Sequence, residues 1–151
     1  MIGGKAYPAL SSFLLVAMQI ACLIVLMITG PVFNFESSAI YLLFFSLFLG
    51  SWAIMVMLPS KLNIFPEVSK GATLIQKGPY RYIRHPMYLS LILLMISLLW
   101  MHFAWYRLLI SILLLIDLII KIEYEERILI RDLAGYKTYK GVTYRLVPCV
   151  Y

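Results

Sequence analysis

Charged residues are scarce in this chain of 151 residues, at 13% of the sequence. Soluble domains carry roughly 25% charged residues, so the deficit is large. Hydrophobic residues make up 63% of the chain, and the mean hydropathy is +0.92. This composition excludes an ordinary soluble enzyme and predicts an integral membrane protein.

Cysteine and glycine signatures are also missing. Cys22 lies inside an apolar run and Cys149 lies near the carboxyl end, a placement that suggests neither a disulfide framework nor a zinc site. We therefore expect two structural thiols and no bound metal. The chain has no Gly-rich fingerprint between a strand and a helix, and the residues outside its apolar runs are too few for a Rossmann domain.

What the sequence does contain is four apolar runs, which predict an all-α fold of four transmembrane helices in a single domain, residues 1–151. We place the spans at residues 10–29, 39–58, 87–105 and 107–122. The first two supply the roughly 20 uncharged residues that cross a hydrocarbon core of about 30 Å. The last two form a predicted hairpin, whose turn at 101–107 holds the Trp and Tyr typical of a headgroup belt. Residues 123–151 are a predicted cytoplasmic tail, with Gly135 as a helix C-cap.

The basic residues predict how these spans are oriented. Of the 13 Lys and Arg residues, only Arg107 falls on the side reached after an odd number of spans. The positive-inside rule then places both termini in the cytoplasm. The net charge of +6 is a topology signal and an attraction to anionic headgroups, and it does not argue for nucleic acid. The first apolar run lacks a cleavage site behind it and is read as a retained span.

The segment 78–88, GPYRYIRHPMY, combines bases, aromatic residues and two prolines beside a span. Pro86 fits the first turn of the third helix, where its missing N–H costs nothing. Arg84 and His85 then lie at a helix N-terminus, which suits a ligand carboxylate or phosphate. On charge alone, these bases are better explained as snorkelling anchors that fix the topology, and only the motif context reverses that preference. The preceding loop, 59–85, exceeds the usual connection length and is predicted to fold over a site.

A polar stripe follows on the fourth helix. Asp117, Lys121 and Glu125 share one face, and intramembrane carboxylates normally face a bundle interior or a wet cavity. The stripe therefore lines a polar pocket or forms an internally neutralised ladder. Two i,i+4 pairs, Lys121/Glu125 and Glu123/Arg127, extend the helix beyond the membrane.

The ordered set of motifs G-P-Y-R-Y-x-R-H-P-M-Y, hydrophobic hairpin, E-E-R-x-L, G-Y-x-x-Y and Y-R-L-V-P resembles the integral-membrane methyltransferases. These are typified by isoprenylcysteine carboxyl methyltransferase and the phospholipid N-methyltransferases. The likeness runs from about Lys77 to Tyr151. The short spacing before Tyr136 resembles the bacterial branch and implies a bacterial or archaeal inner membrane. Ser90 and Cys149 stand where this family often has Gly.

The resemblance implies S-adenosylmethionine as methyl donor, leaving S-adenosylhomocysteine, bound between the last helices and the tail. Without a Rossmann fingerprint, loops and helix ends must hold this donor. The implied catalytic residues are Arg84, Glu125 and Glu126. The implied cofactor-binding residues are Tyr80, Arg84, His85, Pro86, Tyr88, Glu126, Tyr136 and Tyr139. Arg145 also matches a motif position.

The expected partners are membrane lipids and a lipophilic small-molecule or lipid-modified acceptor entering from the bilayer. A carboxylate acceptor is already ionised, so Arg84 need only orient it. A phosphatidylethanolamine-like ammonium must first lose a proton, which makes Glu125, Glu126 or His85 a base. Outside enzymes, the chain fits a small transporter with Asp117 as coupling carboxylate, or a scaffold that binds anionic lipid.

Overall fold

The computed structural model describes residues 9–31, 35–60 and 73–147. Within these ranges the chain forms five α-helices and two short 3-10 helices, with no strand beyond one isolated bridge. The α-helices are α1 (Ala9–Ile28), α2 (Ala39–Met57), α3 (Pro86–Met101), α4 (Trp105–Asp132) and α5 (Tyr136–Val142). The 3-10 helices are Leu58–Ser60 and Gly78–Arg81. The prediction of an all-helical fold is confirmed for the described part of the chain.

One helix among the described residues, α2, is long and apolar enough to cross a membrane by length and composition. Its 19 residues have a hydropathy of 2.1. The segments Phe13–Ile28 and Pro86–Met101 are apolar but shorter, and α4 carries charges along its second half. The four-span topology, the cytoplasmic termini and the single domain stay predictions.

Small residues bring α2 close to α3. Ala39, Ser46, Gly50 and Ala53 recur at intervals of three, four or seven positions, which places them along one helix face. A Cβ at Gly50 would lie 2.9 Å from Ser90 Oγ, so the helices approach too closely for a larger residue there. Ser90, where the resembled family often has Gly, is accommodated by this glycine on the facing helix.

The other faces of α2 are apolar as well. Its exposed large side chains are Tyr41, Phe44, Phe45, Leu47, Phe48, Trp52, Ile54 and Met55. A helix that is hydrophobic on all sides belongs in a core or in lipid. Since these side chains lie on the protein surface, they suit hydrocarbon.

The hairpin boundaries differ from those predicted. Helix α3 ends at Met101 and α4 already begins at Trp105, so the turn has three residues and is shorter than the predicted turn at 101–107, while the spans 87–105 and 107–122 stay predictions. The backbone is extended at His102 and Ala104, which breaks the helix there. The aromatic residues that suggested a longer turn lie largely in the first turn of α4, where Trp105 and Tyr106 remain exposed.

Arg107 explains why this turn is tight. Its guanidinium is fully buried, and it donates from Nη1 to Thr29 Oγ1 at 2.9 Å and from Nη2 to the Leu98 carbonyl at 2.7 Å. The Leu98 carbonyl lies in the last turn of α3, where helices leave carbonyls unsatisfied. A Cβ at Gly30 would lie 2.6 Å from Arg107 Nη1. The base that was predicted on the outer side therefore joins the ends of α1, α3 and α4.

Helix α4 continues through its charged second half to Asp132, as the polar i,i+4 pattern predicts. Gly135 was predicted as a C-cap of this helix, but it instead precedes α5 as its N-cap, with φ of 82°. The tail is therefore partly helical. Leu133, Tyr136 and Tyr139 form a small buried cluster that packs α5 back against the end of α4.

Candidate active site

The segment before α3 is fixed by its glycine and prolines. Gly78 begins a 3-10 helix with φ of 56°, a conformation that favours glycine. A Cβ there would lie 2.9 Å from Val56 Cγ2, so Gly78 also allows close packing on α2. Pro86 is the first residue of α3, as predicted from its fixed φ and missing N–H.

The tail pairs with this segment through its backbone. Tyr144 N–H donates to the Tyr82 carbonyl at 2.9 Å, and Arg84 N–H donates to the Tyr144 carbonyl at 2.8 Å. His85 N–H donates to the Arg145 carbonyl at 3.2 Å. The residues Ile83 and Tyr144 thus form a parallel bridge that fastens the tail beside Arg84 and His85.

Glu126 is the centre of a buried ionic network, which we call the Glu126 cluster: Glu126, Arg84, Lys140 and Arg145. Oε1 of Glu126 accepts from Arg84 Nε at 2.8 Å. Oε2 accepts from Lys140 Nζ at 2.8 Å and from Arg145 Nη2 at 2.9 Å. The Arg84 guanidinium also donates to the carbonyls of Lys140 and Thr143. Both carboxylate oxygens of Glu126 are therefore occupied by cations from other segments.

The ionisation of Glu126 follows from these contacts. Its side chain is 2% exposed, and burial alone would raise the pKa of the carboxyl. His85, Arg145, Lys140 and Arg84 outweigh burial and hold that pKa well below its usual range. His85 Nε2 lies 3.5 Å from Glu126 Oε1. Glu126 is a permanent anion at neutral pH.

Glu125 has a different environment although it is adjacent in sequence. Its Oε1 accepts from the Tyr88 hydroxyl at 2.5 Å, and its Oε2 lies 3.9 Å from His85 Nδ1. Burial raises the pKa of Glu125, and the opposing effects of His85, Tyr88 and Lys121 do not cancel that rise. Two neighbouring carboxyls with pKa values displaced in opposite directions are typical of functional sites.

Three tyrosines come together from the 3-10 helix and α5. Tyr139 Oη donates to the Tyr80 carbonyl at 2.6 Å, and Tyr80 Oη contacts Met57 Sδ at 3.3 Å. The Tyr136 and Tyr139 rings meet edge to face, with centroids 5.8 Å apart. Burial raises the pKa of Tyr80 and of Tyr136, so both phenols stay protonated. Tyr136 Oη is buried and has no hydrogen-bond partner among the described residues.

These groups surround one cavity of about 520 Å³. Its polar and aromatic lining comprises Gln19, Tyr80, Arg84, His85, Tyr88, Lys121, Glu125, Tyr136 and Tyr139. Its apolar lining comprises Ile54, Met57, Leu58, Leu74, Ile75, Met87, Leu91, Leu129 and Leu133. Leu74 and Ile75 belong to the loop that was predicted to fold over a site, whose residues 61–72 lie outside the described ranges.

The cavity brings together seven of the residues predicted for the site: Tyr80, Arg84, His85, Tyr88, Glu125, Tyr136 and Tyr139. Pro86 and Glu126 are buried behind its wall. Of the polar stripe, Lys121 and Glu125 line the cavity, whereas Asp117 is buried elsewhere. The pair Lys121/Glu125 forms no ion pair within 4 Å, while Glu123 and Arg127 approach to 3.8 Å as predicted.

Gln19 is a site residue that sequence reasoning missed. It belongs to α1, far from every motif, and its Oε1 accepts from Lys121 Nζ at 3.1 Å. The available signal was a single amide in an otherwise apolar run, since polar groups within membrane helices usually bind a neighbouring helix or a ligand.

A comparison with protein-family models matched residues 37–131 to the isoprenylcysteine carboxyl methyltransferase family. The match includes α2, α3, the segment 78–88 and most of α4, and it stops before Tyr136, Tyr139 and Arg145. Searches of curated proteins and of solved structures gave no significant match. Since the family model covers more than half of the chain, this protein belongs to the isoprenylcysteine carboxyl methyltransferase family, a family of membrane methyltransferases.

Proposed function

We propose that this protein transfers a methyl group from S-adenosylmethionine to the carboxylate of a lipophilic, membrane-embedded acceptor. The observation that carries the proposal is the cavity: one apolar-walled space collects seven motif residues from the loop, α3, α4 and α5. Its volume of about 520 Å³ lies within the range of small-molecule sites, roughly 300–1,000 Å³.

The chemistry of the lining suits the donor. Glu125 offers a carboxylate for the donor's ammonium group, and the rings of Tyr136 and Tyr139 offer surfaces for its adenine and sulfonium. The buried hydroxyl oxygen Oη of Tyr136 has no hydrogen-bond partner among the described residues, and His85 Nε2 has none there beyond its 3.5 Å approach to Glu126 Oε1. Buried polar groups are normally paired, so these atoms are candidate contacts for a polar ligand.

When bound, S-adenosylmethionine supplies a methyl group on a positively charged sulfur, and an acceptor oxygen bonds to the methyl carbon as the methyl–sulfur bond breaks and its electron pair stays on sulfur. The chain's own residues then have to align the partners and exclude water. The apolar side chains of Ile54, Met57 and Leu91 supply apolar wall, which suits that need. A carboxylate acceptor needs no general base.

Glu125 and Glu126 have separate roles in this proposal. Glu126 keeps Arg84 and the tail in place, because both of its oxygens accept from cations and it lies behind the cavity wall. Glu125 lines the cavity and binds the donor. Of the two glutamates, Glu125 is therefore the one that we propose contacts the donor's ammonium group.

A second candidate is methylation of a lipid amine of the ethanolamine type. The observation that favours it is the raised pKa of Glu125, because a carboxyl of that kind is a suitable base for an ammonium group that must lose its proton. In this case Glu125 would take the proton and the product would be an amine.

The test is to supply the purified protein, in lipid, with methyl-labelled S-adenosylmethionine and either prenylcysteine analogues or a total lipid extract. The labelled product is then treated with mild base. Release of the label as methanol identifies an ester and supports carboxyl methylation. Base-stable lipid label supports the amine candidate, and the absence of both product and donor binding overturns the proposal in favour of a transporter or scaffold.

Matched variants make this test specific. Glu125→Gln is expected to weaken donor binding, whereas Arg127→Gln, a change at an exposed position of the same helix, should leave it unaltered. Equal donor affinity in both variants would show that the cavity residue Glu125 does not bind the donor.

A further inference from the structure

Lys121 is a buried cation in the cavity wall that the donor site leaves unused. It is 2% exposed and lies one helical turn from Glu125, which is roughly 6 Å along α4 at 1.5 Å per residue, on the side away from α5. It therefore lines the end of the cavity opposite the tyrosines of α5. Gln19 and Tyr88 contact Lys121 and line the cavity with it.

The ammonium group of Lys121 has few partners for a buried charge. Nζ donates to Gln19 Oε1, a neutral acceptor, and lies 5.3 Å from the centre of the Tyr88 ring. Within the described ranges it forms no ion pair at 4 Å or less. Asp117 and Glu125 lie one turn away on either side, and Glu125 Oε1 already accepts from Tyr88. An ammonium has three donors, so this one has donors to offer a ligand.

Arg84, the other cation in the cavity wall, already has several partners. Its Nε donates to Glu126, and its Nη1 donates to the carbonyls of Lys140 and Thr143. These contacts hold the guanidinium toward Glu126 and the tail, so at most its Nη2 remains for the acceptor carboxylate that Arg84 is predicted to orient. Lys121 could bind an anion without losing an ion pair. At a position as buried as that of Lys121, a charge-assisted hydrogen bond is stronger than in water.

We propose that Lys121, held in position by Gln19, binds the ionised carboxylate of the lipophilic acceptor and makes the enzyme selective for anionic acceptors. This inference rests on the proposed function and specifies its substrate class. An ammonium-bearing acceptor is repelled at the same place, and an uncharged one leaves Lys121 with no anion. The ester product is neutral, so it loses the attraction that held the substrate, and this favours its release.

The inference is tested by binding, in the absence of the methyl donor so that no reaction occurs. The full chain in nanodiscs of neutral phosphatidylcholine is loaded with a pyrene-labelled dodecanoate, which is then displaced by hexadecanoate, hexadecanol or hexadecylamine. The wild type should bind hexadecanoate about tenfold more tightly than hexadecanol, the size expected for one charge-assisted hydrogen bond. Lys121→Met should remove this preference, and Lys121→Arg should retain most of it.

Two further variants keep the test decisive. Gln19→Glu places a carboxylate beside Lys121, so it should abolish the preference for hexadecanoate even if Lys121→Met folds poorly. Lys137→Met removes an exposed cation of α5 and should change nothing. A preference for hexadecanoate that survives both Lys121→Met and Gln19→Glu, or a wild type that prefers hexadecylamine, overturns the inference.

A measurement of donor binding distinguishes failure of the proposed function from failure of the inference about Lys121. Calorimetric titration with S-adenosylmethionine should show that the wild type and Lys121→Met both still bind the donor, because Glu125, Tyr136 and Tyr139 are present in both. If the wild type binds no donor, the proposed function fails. If both proteins bind the donor and both lack a preference for hexadecanoate, the inference alone fails.

Discussion

Arg84 Nε and Glu126 Oε1 are 2.8 Å apart, and this contact joins the loop before α3 to the charged second half of α4 across 42 positions of sequence. Both side chains are less than one tenth exposed. The same carboxylate also accepts from Lys140 and Arg145, so three segments meet at one buried anion.

We expect Glu126→Gln to destabilise the protein strongly. Breaking a buried ion pair from one side leaves the remaining charges uncompensated, at a cost of about 3–5 kcal/mol. The measurement is the free energy of unfolding in lipid or mild detergent. Glu123→Gln is the control, because Glu123 is about half exposed and its substitution should cost about 1 kcal/mol or less. Equal losses in the two variants would mean that the Glu126 cluster is not a special source of stability.

The contribution of the Glu126 cluster to the protein's stability should decrease as pH is lowered. The folded-state pKa of Glu126 is depressed, so its contribution is fully present above the unfolded-state value of about 4.3 and is lost as pH falls toward the folded-state pKa. Unfolding measured between about pH 6 and pH 3 should show a loss that is smaller in Glu126→Gln. The opposite slope would contradict the ionic network.

Donor binding should respond to pH through Glu125. Burial raises the pKa of this carboxyl, so it takes up a proton at a higher pH than an ordinary glutamate with a pKa of about 4.3. Protonation removes the charge that binds the donor's ammonium, and donor affinity should therefore fall as pH is lowered through that raised value. Glu125→Gln should flatten the profile, and an inflection that persists in this variant would assign the titration to another group.

A glycine substitution tests the packing of the buried arginine. Gly30→Ala places a Cβ 2.6 Å from Arg107 Nη1, so we expect overpacking to cost about 1–3 kcal/mol in unfolding free energy. Gly141→Ala is the control, since a Cβ there meets nothing within 4 Å and the residue lies in helix α5. Alanine should be neutral or stabilising at that helical position, by up to roughly 1 kcal/mol.

The hydroxyl of Tyr139 should contribute to stability, whereas that of Tyr136 should contribute to donor binding. Burial raises the pKa of Tyr139 to about 12, so its phenol stays protonated and donates to the Tyr80 carbonyl. Tyr139→Phe should lower stability by about 1–3 kcal/mol, because a buried carbonyl loses its donor. Tyr136→Phe should spare stability and weaken donor binding, since Tyr136 Oη has no described partner. The two variants are compared by unfolding and by donor titration.

Local chemistry made part of the site predictable. Pro86 begins α3 because proline's fixed φ and missing N–H act at its own position. The polar continuation of α4 could also be predicted from the sequence, since the i,i+4 spacing of Glu123 and Arg127 depends only on the helix that contains them. In contrast, the end of α3 depended on Arg107, whose partners Thr29 and Leu98 belong to other helices.

The parts of the site that could not be predicted from the sequence depend on contacts between distant segments. The i,i+4 spacing pairs Lys121 with Glu125, yet Lys121 binds Gln19, which lies 102 positions earlier. Glu125 and Glu126 look equivalent in sequence. They nevertheless face different sides of α4, because a helix turns about 100° per residue. Only the packed fold determines that Glu125 faces the cavity and Glu126 faces the tail.

The tail completes the site in a particular order during biosynthesis. Ribosomes release α1 to α4 before Lys140 and Arg145, so Glu126 has only Arg84 as its cationic partner while the long helices insert. The parallel bridge between Ile83 and Tyr144 also forms after this stage. A nascent chain can therefore have α1 to α4 formed and still lack Tyr136, Tyr139 and the two tail cations, so the cavity wall and the Glu126 cluster are complete only after synthesis has passed Arg145.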